Sequence, residues 1–385
     1  MAGIYIHIPF CASRCIYCDF YSTTTVSLQD QYTEALCKEM ELRKHYLSDL
    51  QADLQEPTVI DTLYFGGGTP SQLSADNFRK IFQSLQQKIF SHPHYRLSSH
   101  PEITVECNPD DITGELLHTL KSLSVNRISM GVQTFSDERL KFLRRRHTSQ
   151  EVYHAIDLIR QHEIDNISID LIFGFPKQTL AEWEEDLQQA INLDVQHISA
   201  YSLMYEEGTP LYKMLTTNKV EEIDEKLSLA MFNTLIDTMV NNGFEHYEIS
   251  NFAKPNHRSQ HNSSYWKNTP YLGLGVAAHS YNLSSRQWNV SHIKKYIQSL
   301  SNNEVPAEIE PLDDTTRYND LIATALRTKE GICLDRLDTI NKEFLLKQAQ
   351  KHLEQQTLMI NNGCLSLTRE GIFISDSIMA DLIKV

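Results

Sequence analysis

The chain has 385 residues and a net charge of −15, from 50 acidic against 35 basic side chains. That length suits one large α/β unit with an appendage, or two domains, and buries a core without disulfide staples; the charge excludes a nucleic-acid surface built on bulk positive charge. The start, MAGIYIHIPF, has neither the basic head nor the apolar run of a secretion signal, and no stretch approaches the ~18 apolar residues of a membrane span, so a cytoplasmic protein is expected, in whose reducing surroundings seven cysteines are not a disulfide framework.

In chain order, β-rich runs at 4–8, 59–65, 103–106, 127–131, 167–173 and 197–201 alternate with helical patterns at 28–46, 75–89, 115–123, 151–161 and 179–193. Ser74 stands where a cap for the second helix belongs. The alternation predicts parallel strands with right-handed crossovers, in a partial or full (β/α) barrel or in a doubly wound sheet. After Asn251 the periodicity lapses: 251–290 is rich in His, Asn, Ser, Tyr and Trp, and is too long for an idle loop. From about Pro306 helical patterns return at 315–327 and 342–355, then two β-like runs flank Asn361-Asn362-Gly363, a hairpin signal, before a last short helix. Three parts are expected: a barrel over 1–250, a His/Trp-bearing return segment closing it over 251–305, and a C-terminal helical domain with a hairpin over 306–385.

Cys11, Cys15 and Cys18 form C-x3-C-x2-C directly after the first strand, a spacing that lets three thiolates face one metal centre from a single loop. A structural zinc site is closed by four ligands, and a cubane cluster normally takes four cysteines. Three leave one position open for a substrate or cofactor. The competing readings are a buried cysteine group and a zinc site completed by His7. Cys37 and Cys333 fall in helical patterns as core residues, Cys107 follows a strand, and Cys364 lies in the hairpin.

With Tyr17 before the third cysteine, this loop resembles the radical S-adenosylmethionine signature. The resemblance implies a [4Fe–4S] cluster on the three cysteines, with the amino and carboxyl groups of S-adenosylmethionine on the fourth iron. It implies reductive cleavage of the sulfonium to a 5′-deoxyadenosyl radical. It also implies the fold: an α/β protein with a partial (β/α)6, TIM-like radical SAM barrel, here followed by a small winged-helix-like C-terminal domain.

In such a barrel, function gathers at the C-terminal strand ends. Those ends carry the cysteine loop, Gly66-Gly67-Gly68-Thr69-Pro70, Glu106, Gln133, Asp170 and Tyr201-Ser202. The glycine run lets the backbone approach a ligand and present amides and carbonyls to an amino-acid moiety. Glu106, Gln133 and Asp170 suit ribose hydroxyls or an ammonium group, although each alone reads equally as a structural hydrogen bond. Arg145 suits a carboxylate, and Arg144 to Arg146 reads also as a solvated basic patch.

The resemblance widens from Tyr5 to about Tyr281. YIHIPFC, GGGTP, ECNP, SMGVQTF, IDLIFGFPKQT and AYSLMYEEGTPL are similar to the coproporphyrinogen-oxidase-like branch, the HemN/HemW group. By motif position it implies S-adenosylmethionine binding by Tyr5, Tyr17, Gly67, Gly68, Thr69, Glu106, Gln133, Arg145, Asp170, Ser202 and His279. Phe20 stands where the oxidases carry a further cysteine, and only four residues precede Tyr5; both weigh against the oxidase. His261-Asn262-Ser263-Ser264-Tyr265-Trp266 matches the H-N-x-x-Y-W motif of the haem-chaperone subgroup. Histidine is a common axial haem ligand, and Tyr and Trp offer flat faces. His261 is therefore the candidate haem ligand, with His257 and His246 as lesser ones; the other reading has His261 and Asn262 capping a turn while Trp266 fills the barrel mouth. The implied function is a haem chaperone that binds haem and delivers it to acceptor proteins such as respiratory cytochromes, with transient membrane association and no nucleic acid. The alternative is an oxygen-independent coproporphyrinogen III oxidase, so whether the chain is an enzyme stays open at this point. Radical modification of RNA or protein ranks third, because the negative charge disfavours RNA.

Overall fold

A computed structural model describes residues 1–47 and 56–384. Six strands, β1 (Ala2–Ile8), β2 (Thr58–Gly67), β3 (Tyr95–Cys107), β4 (Arg127–Gln133), β5 (Asn166–Phe173) and β6 (His197–Ser202), lie side by side in chain order, each parallel to the next. Order without a switch point is that of a barrel wall, not of a doubly wound sheet. The crossovers are the helices Gln29–Leu42, Ala75–Leu85, Gly114–Ser122, Ser149–Gln161 and Leu180–Asn192. Their starts are chemically marked: Ser74 Oγ accepts from the Asn77 amide at 3.2 Å. Thr179 and Glu182 exchange reciprocal bonds, with the Thr179 amide on Glu182 Oε2 at 2.8 Å and the Glu182 amide on Thr179 Oγ1 at 3.3 Å.

β3 begins eight residues before the expected 103, because its polar first stretch is held by pairing Tyr95, Arg96 and Leu97 with Thr58, Val59 and Ile60. Backbone pairing, which needs no apolar pattern, supplies these residues.

Beyond β6 the sheet continues antiparallel through β7 (Glu245–Glu248) and β8 (Asn251–Ala253), in the order β6-β8-β7. At the other margin β9 (Tyr271–Leu274) runs parallel to β1 and is followed by antiparallel β10 (His279–Tyr281), β11 (Ser285–Asn289) and β12 (Ala307–Pro311). Among the described residues no pairing joins the two margins, so the barrel is open. The 251–305 segment therefore does not close it by strand pairing. It widens both margins, and its helix Gln260–Trp266 plugs the N-terminal mouth, where the Gln260 and His261 amides both donate to Glu102 at 3.0 Å.

The main core lies between sheet and helices: Ile4, Ile6, Ile8, Phe65, Val105, Ile128, Met130, Ile169 and Ile198 pack outward from the strands. The opposite faces of the same strands carry Tyr5, Thr62, Tyr64, Thr104, Glu106, Ser129, Ser168, Asp170 and Ser199, so the interior of the half-barrel is polar.

A second apolar cluster, including Ile322, Leu345, Leu365 and Ile378, joins the helices Asp314–Ala325, Thr339–Glu354 and Ser375–Leu382 to a small sheet of β13 (Ile332–Cys333), β14 (Leu358–Asn361) and β15 (Cys364–Leu367). The β14–β15 turn has φ 50° at Asn362 and 76° at Gly363, the geometry for which Asn-Gly is selected. Cys333, expected in a helix, sits in β13 opposite Cys364; a two-residue strand carries no period of its own and exists through its partner. Among the described residues no helix is long and apolar enough to cross a membrane.

Candidate functional site

β1 delivers the chain into the cysteine loop, whose base is tied by the Cys11 amide on the Thr23 carbonyl at 2.9 Å and the Thr23 amide on the Pro9 carbonyl at 2.7 Å. Its middle is tied by Ile16. The Ile16 amide donates to the Leu143 carbonyl at 3.3 Å, its carbonyl accepts from the Leu211 amide at 2.9 Å, and its side chain is buried among Leu143, Ile172, Phe175, Leu203 and Leu211. An apolar anchor between the second and third cysteines thus fixes a loop that has no secondary structure of its own.

All three cysteines are free thiols on one cavity of about 490 Å³. Burial pushes the Cys11 thiol up and the Cys18 thiol up to about 11. Thr69 Oγ1 donates to Cys11 Sγ at 3.4 Å, and an Arg145 guanidinium nitrogen to Cys15 Sγ at 3.6 Å. Such desolvated thiols ionise when a cation takes the protons' place.

The glycine run has a structural job as well. Its amides are already committed: Gly67 to Glu106 Oε2 at 3.2 Å, Gly68 to the Ile8 carbonyl at 2.8 Å and Thr69 to the Phe10 carbonyl at 2.8 Å. The run therefore presents no amide donor at these positions, and these bonds lock the second strand end to the cysteine loop. Only glycine fits there. Gly67 has φ 109°, and a Cβ at Gly68 would lie 2.7 Å from the Pro9 carbonyl carbon.

The same cavity is lined by Tyr5, Tyr17, Gly67, Gly68, Thr69, Glu106, Gln133, Arg145, Asp170, Ser202 and His261. Burial raises Glu106 to about 7 and Asp170 to about 6, and the Asp170 charge adds to the rise at Glu106. Tyr64 Oη donates to Glu106 Oε1 at 2.7 Å. Gln133 sits at a register break of β4 with φ 70°, a strained placement that turns its side chain into the cavity. Arg145 donates to Asn108 Oδ1 at 2.6 Å and the Gly131 carbonyl at 2.7 Å, while its buried Nε has no partner. Buried acids, an incompletely bonded arginine and three thiols fit a cofactor with cationic, carboxylate and iron-bound parts. The second reading of Arg144 to Arg146 fails at Arg145, which is drawn inward.

One predicted residue lies elsewhere, and another is placed here but fully engaged. His279 lines a neighbouring cavity of about 850 Å³ and not this one. His261 forms part of the first cavity's floor at 1% exposure, with Nδ1 2.8 Å from Thr62 Oγ1 and Nε2 2.8 Å from Tyr265 Oη, so neither ring nitrogen is free for iron in this conformation. Of the lesser candidates, His246 stacks on Phe252 at 4.4 Å in the β7–β8 margin, and His257 lines neither cavity. Sequence reasoning missed Tyr64, Asn108, Arg127, Ser129, Ser168 and Ser199 on the cavity wall. The alternation Arg127-Ser129-Gly131-Gln133 between Ile128, Met130 and Val132 was the available signal.

An open parallel half-barrel with a three-cysteine loop at its first strand end defines a radical SAM protein, and residues 5–190 match the Radical SAM superfamily. Across 98% of this chain and 98% of the relative, it is 37% identical to the heme chaperone HemW of Bacillus subtilis. It is 31% identical to the heme chaperone HemW of Lactococcus lactis, over 97% of this chain and 93% of that one. The solved coproporphyrinogen III oxidase HemN from Escherichia coli, a radical SAM enzyme, shares the fold with a TM-score of 0.82 at 20% identity, over 100% of this chain and 90% of that one. The chain belongs to the HemW family of the radical SAM superfamily. Membership of that superfamily carries S-adenosylmethionine and a [4Fe–4S] cluster as cofactors.

Proposed function

We propose that this protein is a haem chaperone, which binds haem and passes it to acceptor proteins such as respiratory cytochromes. Phe20 carries the reading: where the oxidases have a further cysteine, this chain has an apolar ring, 65% exposed, on the lip shared by both cavities. The full-length similarity to proteins named heme chaperone supports it. Cys11, Cys15 and Cys18 would hold the cluster, which when bound supplies a one-electron reductant next to S-adenosylmethionine. Tyr5, Tyr17, Thr69, Glu106, Gln133, Arg145, Asp170 and Ser202 would hold that ligand. Glu106 and Asp170 would accept from ribose hydroxyls or the ammonium group, and Arg145 would face the carboxylate. Gly67 and Gly68 would act by keeping the strand end tight against the loop. In this reading residues 1–250 are the cofactor unit, 251–305 the cargo-facing segment and 306–385 an appended domain.

The test is anaerobic. Cluster-loaded protein should take up haem to saturation, and should form no sustained protoporphyrinogen from coproporphyrinogen with S-adenosylmethionine and a reductant. Multiple turnovers of coproporphyrinogen would overturn the chaperone reading in favour of the oxidase.

A further inference from the structure

The larger cavity lies on the other flank of the cysteine loop and shares Tyr5, Arg14, Asp19, Phe20, Ser22 and Tyr265 with the first. Its volume, about 850 Å³, falls within the roughly 300–1,000 Å³ of small-molecule and cofactor sites. We propose that this cavity seats the haem, with His279 as the iron ligand. The proposal rests on the chaperone reading and replaces His261 as the ligand.

Two histidines line the cavity. His7 is buried and fully engaged, with Nδ1 3.1 Å from Tyr5 Oη and Nε2 3.0 Å from the Tyr21 carbonyl. His279 is exposed on β10, and among the described residues its ring nitrogens make no hydrogen bond; its ring is tilted against Trp288 at 6.2 Å. Desolvation and the nearby Arg286 push its imidazole down, which favours the neutral form that binds iron. By contrast, freeing His261 breaks one buried and one part-buried hydrogen bond and strands Thr62.

The walls suit a flat, apolar macrocycle with anionic edges. Phe20 stands on the loop side, Tyr271 and Tyr281 on the sheet margin, and Tyr265 and Trp266 at the helix end. Arg286 is held by Glu310 and Asp320 at 3.1 Å each, whereas Arg14 has no carboxylate partner among the described residues and is the cation left for a propionate. Asp19 and Asp320 are the acids on the same wall, so one cation and the arginine-bound edge set the orientation.

The experiment is a titration of full-length, cluster-loaded protein with haem and, separately, with metal-free protoporphyrin IX, followed through the Soret band. His279→Ala is expected to weaken haem by more than about tenfold, since even an outer partner of a metal ligand is worth 10–100-fold. The variant should shift the band and recover it when imidazole is added, with metal-free porphyrin binding unchanged. His261→Ala should keep the wild-type band. The seat is overturned if His279→Ala binds haem with wild-type affinity and spectrum, if it loses metal-free porphyrin equally, or if His261→Ala alone loses the wild-type band. If the wild type takes up no haem, the chaperone reading itself falls, and this seat with it.

Discussion

Glu106 and Asp170 are acids inside a barrel, raised by burial to about 7 and about 6. The sign follows from linkage. Their ionised forms are disfavoured in the folded chain, so without ligand they erode stability as pH rises from the ordinary carboxylate range through about 7, and a cationic ligand restores it. Where Glu106 must be ionised to bind, S-adenosylmethionine affinity is expected to be roughly tenfold lower at about pH 6 than at about pH 8. Glu106→Gln should remove most of that step, and equilibrium binding to cluster-loaded protein at the two pH values checks it. Gly68 gives a second prediction. Its missing Cβ would meet backbone atoms of Pro9 and Ile8 at 2.7–2.9 Å, and these cannot yield without moving the cysteine loop. Gly68→Ala is expected to cost about 1–3 kcal/mol and to lower bound iron and sulfide per chain. Normal cluster content in that variant would show that the glycine contact does not position the loop. The chemistry of these residues was legible because cysteine, glycine and acid recur at successive strand ends. The use of the glycine amides was not, since it depends on which carbonyl lies opposite, and residue type does not carry that.

Short elements make the next scale. The first crossover helix is bolted to the return segment through Glu39, which is fully buried and accepts from Arg43 at 3.2 Å, the Gly275 amide and Asn289 at 2.7 Å each, and Tyr296 at 2.6 Å. Arg43 in turn donates to the Gly273 carbonyl at 2.9 Å and to Ser280 at 3.0 Å, next to His279. Removing one partner leaves a buried charge, so Glu39→Ala is expected to destabilise by about 3–5 kcal/mol, read as a shift of the urea midpoint. A change within a few tenths would mean that the pair is already solvated. Nothing in the sequence marks Glu39 among the 50 acidic residues, because three of its four partners lie more than 200 positions away. The same reason hides β9, β10 and β11: strands of three to five residues exist by pairing and carry too few positions for a period. The hairpin was legible because Asn-Gly at the turn is a local cause.

At the scale of the molecule, the sheet faces divide the work. Ile, Val, Leu and Phe pack outward under the helices, while a polar inner face opens on two cavities that flank one loop. The barrel was legible from the β–α alternation, and its openness was not, since the margins are set by pairing alone. Phe20 joins the two cavities, so loss of its ring should affect cargo before cofactor: Phe20→Ser is expected to weaken haem binding while cluster content holds, read by haem titration beside iron analysis. Equal loss of both would place Phe20 in the cluster's support instead. The central claim is cargo delivery, and it is tested most directly by mixing haem-loaded protein with an apo-cytochrome and following the acceptor's Soret band. The account predicts that haem leaves this chain and appears in the acceptor, faster than from free haem and dependent on His279. Haem that stays bound, or that reaches the acceptor no faster than it does without the protein, would contradict it.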